Sequence, residues 1–209
     1  MKRLTLLAVL LSSAAVAQDG WISLFNGKDL TGWKVGGDQT TFTVKDGAIV
    51  AKGPVAHCFY DGPVSNHNFK NFELKVDVMT APGSNGGIYF HTQFQESGFP
   101  RKGFEVQVNT THRDPIKSGS LYHVQDIGAD VIKDIVKDNE YFTEHIIVQG
   151  DTVTVRLNNK EVVKWTKPAD WNGGREGPGR TIGEGTIAFQ GHDPNSIVHY
   201  KNVLIKPLK

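Results

Sequence analysis

The chain has 209 residues, of which 23 are Lys or Arg and 22 are Asp or Glu. So even a balance gives no electrostatic footing for nucleic acid or an anionic membrane surface, and neither is expected as a partner. The single cysteine, Cys58, excludes an internal disulfide and leaves stability to the core.

The first seventeen residues read as an export signal. Lys2 and Arg3 precede the nearly unbroken apolar run Leu4 to Leu11, and Ala15-Val16-Ala17 forms a small-x-small cleavage pattern. The apolar run falls short of the roughly 20 residues that span a bilayer. The mature chain is therefore expected to begin at Gln18, to carry no membrane span and to be exported to the periplasm or secreted. Residues 18–209 suit a single domain of sandwich or barrel type.

Through that domain, Phe42 to Val44, Phe72 to Val78 and Val153 to Leu157 alternate apolar and polar residues, the period of strands with one buried face. Turn signals separate them at Asn26-Gly27, Asp46-Gly47, Pro82 to Gly87 and Asn158-Asn159. The pattern predicts an all-β sandwich of two antiparallel sheets, with Leu24, Phe25 and Trp33 in the core and Cys58 packed rather than reactive. Residues 127–141 and 167–185 read as long loops, which commonly carry binding residues on a rigid scaffold.

The residues with chemistry to offer fall between Asn85 and Tyr122. In a strand over 87–93, Tyr89, His91 and Gln93 share one face and Ile88 and Phe90 the other. A strand over 103–109 divides Glu105, Gln107 and Asn109 from Phe104, Val106 and Val108, and a late strand places Gln190 and His192 together. Any solvated sheet face alternates in this way, but such faces favour Lys, Glu and Thr, whereas Glu105-x-Gln107-x-Asn109 has no Lys. Amides, a carboxylate and imidazoles offer donors and acceptors in the mixture a hydroxyl-rich ligand needs, so these strands, with Tyr122 and His123 at the rim, predict a carbohydrate platform.

His112, Asp114 and His123 match no metal-ligand spacing, and no metal or other cofactor is expected. An ordinary glycosidase needs two flanking carboxyl groups; Glu105 is the one on the polar face, with Glu176 and Glu184 in the late loop as candidates for a second.

Four ordered motifs carry a resemblance. The opening Leu24-Phe25-Asn26-Gly27-Lys28-Asp29-Leu30-Thr31-Gly32-Trp33, then Asn85 to His91, Gly103 to Val108 with Ser118 to Tyr122, and finally Gly185 to His192 with Lys201 to Leu208 resemble the 3-keto-disaccharide hydrolase family over the whole mature chain. Gly86-Gly87 stands where the family often has Ser-Gly, and His91 where it often has Arg. The resemblance implies a concanavalin-like jelly roll and the breakdown of glycosides oxidised to a ketone at C3, by lyase and hydratase steps. In that chemistry a base removes the C2 proton and the anomeric group leaves by β-elimination. Glu105 is the expected catalytic base, with His91 second. Gln107, Asn109, Tyr122, Gln190 and His192 are the expected substrate-binding residues. A noncatalytic carbohydrate-binding module and a structural envelope protein are the alternatives.

Overall fold

The computed structural model describes residues 18–209, and the export signal read over 1–17 lies outside the described residues. The strands are β1 (Ile22–Ser23), β2 (Trp33–Gly37), β3 (Phe42–Lys45), β4 (Ala48–Ala51), β5 (Ala56–Tyr60), β6 (Phe72–Thr80), β7 (Gly86–Thr92), β8 (Phe104–Val108), β9 (Phe142–Gln149), β10 (Thr152–Leu157), β11 (Lys160–Thr166), β12 (Thr186–Gly191) and β13 (Val198–Pro207). One antiparallel sheet runs β11-β10-β9-β6-β13-β4-β3, with β1 beside β13; the other runs β2-β5-β12-β7-β8. The two-sheet sandwich expected from the alternation is what forms. No helix among the described residues is long and apolar enough to cross a membrane.

Strand β6 shows the rule that builds the first sheet. Phe72, Leu74, Val76 and Val78 are buried, while Glu73, Lys75 and Asp77 point the other way and stay partly exposed. The core joins both sheets through stacked rings, Trp33 on Phe189 at 4.9 Å and Phe189 on Tyr200 at 4.3 Å. Trp33 also donates its indole N–H to the Leu24 carbonyl at 2.9 Å, so its one polar atom is satisfied inside the core. Leu24, Phe25 and Cys58 lie in the same core. Burial pushes the Cys58 thiol pKa well up, which suits packing rather than reaction.

The second sheet follows a different rule. In β5, β7, β8 and β12 every residue is buried, although the face turned from the core carries His57, Tyr89, Glu105, Gln107 and Gln190 beside Phe59 and Ala188. One face completes the core; loops close over the other. The Gly37 N–H donates to Glu96 O at 2.8 Å and that of Gly103 to Gly179 O at 2.9 Å, tying the loops 93–103 and 167–185 to the sheet rim. Along the free edge of β8, Gln107 N–H donates to Ser120 O at 3.0 Å and Tyr122 N–H to Glu105 O at 2.9 Å, which sets Tyr122 at the border of this polar face. The segment 127–141, read as loop, contains one helical turn, α1 (Ala129–Ile132), and buries Ile132 and Val136 at the helical spacing of four.

One core position breaks the apolar pattern. Glu144 on β9 stands in register between Val76 and Leu157, is fully buried, and has no hydrogen-bond partner for either carboxyl oxygen. The nearby Gly119 N–H donates instead to the Gln107 carbonyl at 3.0 Å. Burial raises the Glu144 pKa well above the carboxylate range. A folded-state pKa above the unfolded one gives stability that is full below the unfolded value and is lost as pH rises toward the folded value. Glu144→Leu is therefore expected to raise stability near pH 4 by about 1–3 kcal/mol, the cost of burying an unpaired neutral carboxyl group, and by more at pH 7, where the unfolded chain also gains from ionisation. Urea unfolding at the two pH values checks this; equal effects at both would show that ionisation plays no part.

Candidate active site

The polar face is assembled row by row across the second sheet. His57 on β5 stands opposite Gln190 on β12, Ala188 stands opposite Tyr89 on β7, and Tyr89 stands opposite Glu105 on β8. Gly87 is the partner of Gln107 in the next row. A Cβ at Gly87 would come within 2.3 Å of Glu105 Oε1 and 3.0 Å of its Cγ, so this glycine leaves the space in which the Glu105 side chain lies.

Glu105 forms the floor of a cavity of about 240 Å³, lined also by Asn85, Phe99, Gln107, Tyr122, Gln190 and His192. Its Oε2 accepts the Tyr89 hydroxyl at 2.7 Å, and its Oε1 accepts Gln190 Nε2 at 2.9 Å. Burial raises the Glu105 pKa to about 7, although the Tyr89 hydrogen bond, the nearby Arg180 guanidinium and the Gln190 amide each favour the ionised form. The carboxyl group is therefore poised between its two states near neutrality. Asn85 Oδ1, Gln107 Oε1 and Gln190 Oε1 are buried without a hydrogen-bond partner. Three unpaired acceptors around one cavity make it a place for a ligand rich in donors.

Two histidines at the mouth have one ring nitrogen committed. Nδ1 of His192 meets Asp193 Oδ2 at 2.8 Å, and Nδ1 of His123 meets Glu176 Oε1. Glu176 also lies 3.8 Å from Arg180, whose other guanidinium nitrogen donates to the Gly103 carbonyl at 3.1 Å. A carboxylate at Nδ1 fixes the tautomer and leaves Nε2 for proton exchange. Tyr122 packs its ring on His123 at 4.1 Å, and its hydroxyl lies 3.3 Å from Asp114 Oδ2.

Of the residues singled out in the sequence, Glu105, Gln107, Tyr122, His123, Glu176, Gln190 and His192 share this cavity, and Glu184 lies outside it. So do His91 and Asn109. His91 has a φ of 53° and sits where one extra residue in β7 shifts the register against β12. That bulge ends the alternation, and the His91 ring instead contacts the Lys70 carbonyl at 2.8 Å and accepts the Gly183 N–H at 3.2 Å. Both nitrogens are occupied, and burial lowers its pKa to about 4. Asn109 follows the end of β8 and turns inward, donating its amide to Asp114 O and Ile116 O at 3.0 and 2.7 Å, so it holds the next loop.

Three cavity residues, Asn85, Phe99 and Arg180, were not singled out beforehand, and neither was His57, which lies outside the cavity lining with its ring edge-on to Phe99 at 5.5 Å. The His57 ring is buried edge-on to Tyr89 at 5.4 Å, with neither nitrogen hydrogen-bonded. Burial, then the neighbouring His192, lowers its pKa to about 3, so it stays neutral. His57 alternates with core Cys58, and this parity was the available signal. Among the described residues no group of three or more His, Cys, Asp or Glu is arranged to hold a metal ion.

Comparison with known proteins gives a consistent picture. The family model described as the 3-keto-alpha-glucoside-1,2-lyase-like domain matches residues 20–206. A 3-keto-disaccharide hydrolase of Bacteroides thetaiotaomicron is 35% identical over 85 residues, which cover 37% of this chain and 29% of that protein's length. A candidate glycosyl hydrolase of Parabacteroides distasonis superposes with a TM-score of 0.76 at 26% identity, over 94% of this chain and 99% of that one. A carbohydrate-binding module of Bacillus subtilis superposes at 0.55 with 10% identity, over 84% and 95%, a likeness of fold alone. The sandwich is thus the concanavalin-like jelly roll that the motifs implied.

Proposed function

Because the chain belongs to the family of 3-keto-alpha-glucoside-1,2-lyase-like domains, we propose that it cleaves glycosides already oxidised to a ketone at C3, by elimination across C1 and C2 followed by hydration. The observation that carries this reading is the Glu105 carboxyl group, buried at the floor of a donor- and acceptor-lined cavity with its pKa raised to about 7, while the other carboxyl group lining the cavity, Glu176, is held at the mouth between His123 and Arg180. A proton next to a ketone needs one base of that strength in a dry site.

Glu105 takes the proton from C2, and the C–H electron pair becomes the enolate on the C3 oxygen. The enolate then collapses to the ketone, forms a C1–C2 double bond and expels the aglycone oxygen. His192 and His123, each oriented through Nδ1, deliver a proton to the leaving oxygen and take one back from the water whose oxygen bonds to C1, and the protonated Glu105 gives a proton to C2, which restores the carboxylate. Asn85, Gln107 and Gln190 offer their unpaired carbonyl oxygens to sugar hydroxyls. In this reading the chain works after export, in the periplasm or outside the cell, once the signal over residues 1–17 is removed.

The test is a nitrophenyl 3-keto-glucoside incubated with the protein beside its unoxidised parent, in deuterated water. Release from the keto form alone, with deuterium appearing at C2 of the sugar, is expected. Release from the parent without deuterium at C2 would replace elimination by ordinary glycoside hydrolysis, and saturable sugar binding without release would make the chain a binding module.

A further inference from the structure

The catalytic cavity opens into a second cleft of about 540 Å³, and the two share Tyr122, His123 and His192 as their common wall. On the far side stand Arg113 and Arg175. The carboxylates around the cleft are already engaged. Asp114 accepts the Ile116 N–H at 2.9 Å, with the Tyr122 hydroxyl at its other oxygen; Asp193 holds His192 and the Ser196 hydroxyl, the latter at 2.7 Å; Glu176 lies between His123 and Arg180. Arg113 and Arg175 are exposed and take part in no ion pair among the described residues. The cleft therefore presents two uncommitted guanidinium groups beside one carboxylate, Asp114, whose two oxygens are taken up by the Ile116 N–H and the Tyr122 hydroxyl.

We propose that this cleft is the aglycone subsite and that it selects aglycones bearing an oxyanion, a carboxylate or a phosphate, held by Arg113 and Arg175. The inference rests on the reading that the Glu105 cavity holds the keto sugar. A group leaving from C1 toward the wall the two cavities share enters this cleft, while the sheet floors the inner cavity and Phe99, 6.0 Å from the His192 ring, flanks it. The Tyr122–His123 ring pair on that wall gives a flat surface for the aglycone body, and the planar fork of each arginine matches an oxyanion.

Three aryl 3-keto-glucosides separate the possibilities: one with a carboxylate on the ring, one with a phosphate, and one with a neutral carboxamide of the same shape. The expected result is a kcat/KM at least about tenfold higher for an anionic aglycone than for the carboxamide, shrinking as salt is raised to about 0.3 M. The ratio should fall toward one in Arg113→Ser/Arg175→Ser. Whichever anion gains more identifies the oxyanion. A calorimetric titration with free hydroxybenzoate, phenyl phosphate and hydroxybenzamide reads the same preference without turnover. Equal kcat/KM and equal binding for charged and neutral compounds would overturn the subsite, whereas failure of every glycoside to react, with anion-selective binding retained, would overturn the elimination reading and leave the subsite standing.

Discussion

Glu105→Gln is expected to reduce turnover of a 3-keto-glycoside by about 10²–10⁴-fold while sugar binding changes only a few-fold. The amide keeps the size of the side chain and one acceptor, so the Gly87 gap stays filled and part of the contact with Tyr89 and Gln190 survives. What is lost is the base. In the unsubstituted protein the base must be ionised to act, so kcat/KM should climb with pH and level off above about 7, the value to which burial raises Glu105. The Tyr89 hydroxyl favours the carboxylate, so Tyr89→Phe should move that ascending limb to higher pH. A pH–rate profile of the three proteins checks the assignment. Retention of more than about a tenth of the activity in Glu105→Gln, at every pH, would take the base away from Glu105.

What the sequence made legible and what it hid both follow from the pleat. Alternation is a local property, so it placed Glu105, Gln107 and Gln190 correctly on one face without knowledge of which strands pair. It failed at His91 because a bulge adds one residue to β7 there, and a period of two carries no trace of a bulge when the extra residue is not glycine. It failed at Asn109 because β8 ends one residue earlier, at Val108, and the turn redirects the side chain. His57 shows the opposite limit. Its parity was readable, but its place beside the site depends on β5 pairing with β12, whose residue Gln190 lies far away in the chain. Arg180 comes from the loop 167–185, whose course is fixed by contacts such as its own bond to the Gly103 carbonyl and not by any repeat in the sequence.

The same dependence on backbone contacts gives Gly103→Ala a large expected loss of stability, about 3–5 kcal/mol. Gly103 has a φ of 82°, and a Cβ there would lie 2.1 Å from the Phe90 carbonyl oxygen and 2.7 Å from the His91 carbonyl carbon. Both are backbone atoms at the bulge of β7, so neither can swing aside as a side chain would. Gly27 supplies the comparison. Its φ of 75° is nearly the same, but nothing stands within 4 Å of its would-be Cβ, so Gly27→Ala should cost only the left-handed penalty of about 1–2 kcal/mol. Denaturant unfolding of the two variants separates the contact from the conformation, and equal losses would mean that the bulge yields. The position has a second consequence, because Gly103 leads directly into β8 and its carbonyl holds Arg180. A shift of the backbone at Gly103 moves Glu105 and Arg180 relative to Tyr89, so Gly103→Ala should lose turnover even under conditions where the variant remains fully folded, and Gly27→Ala should not.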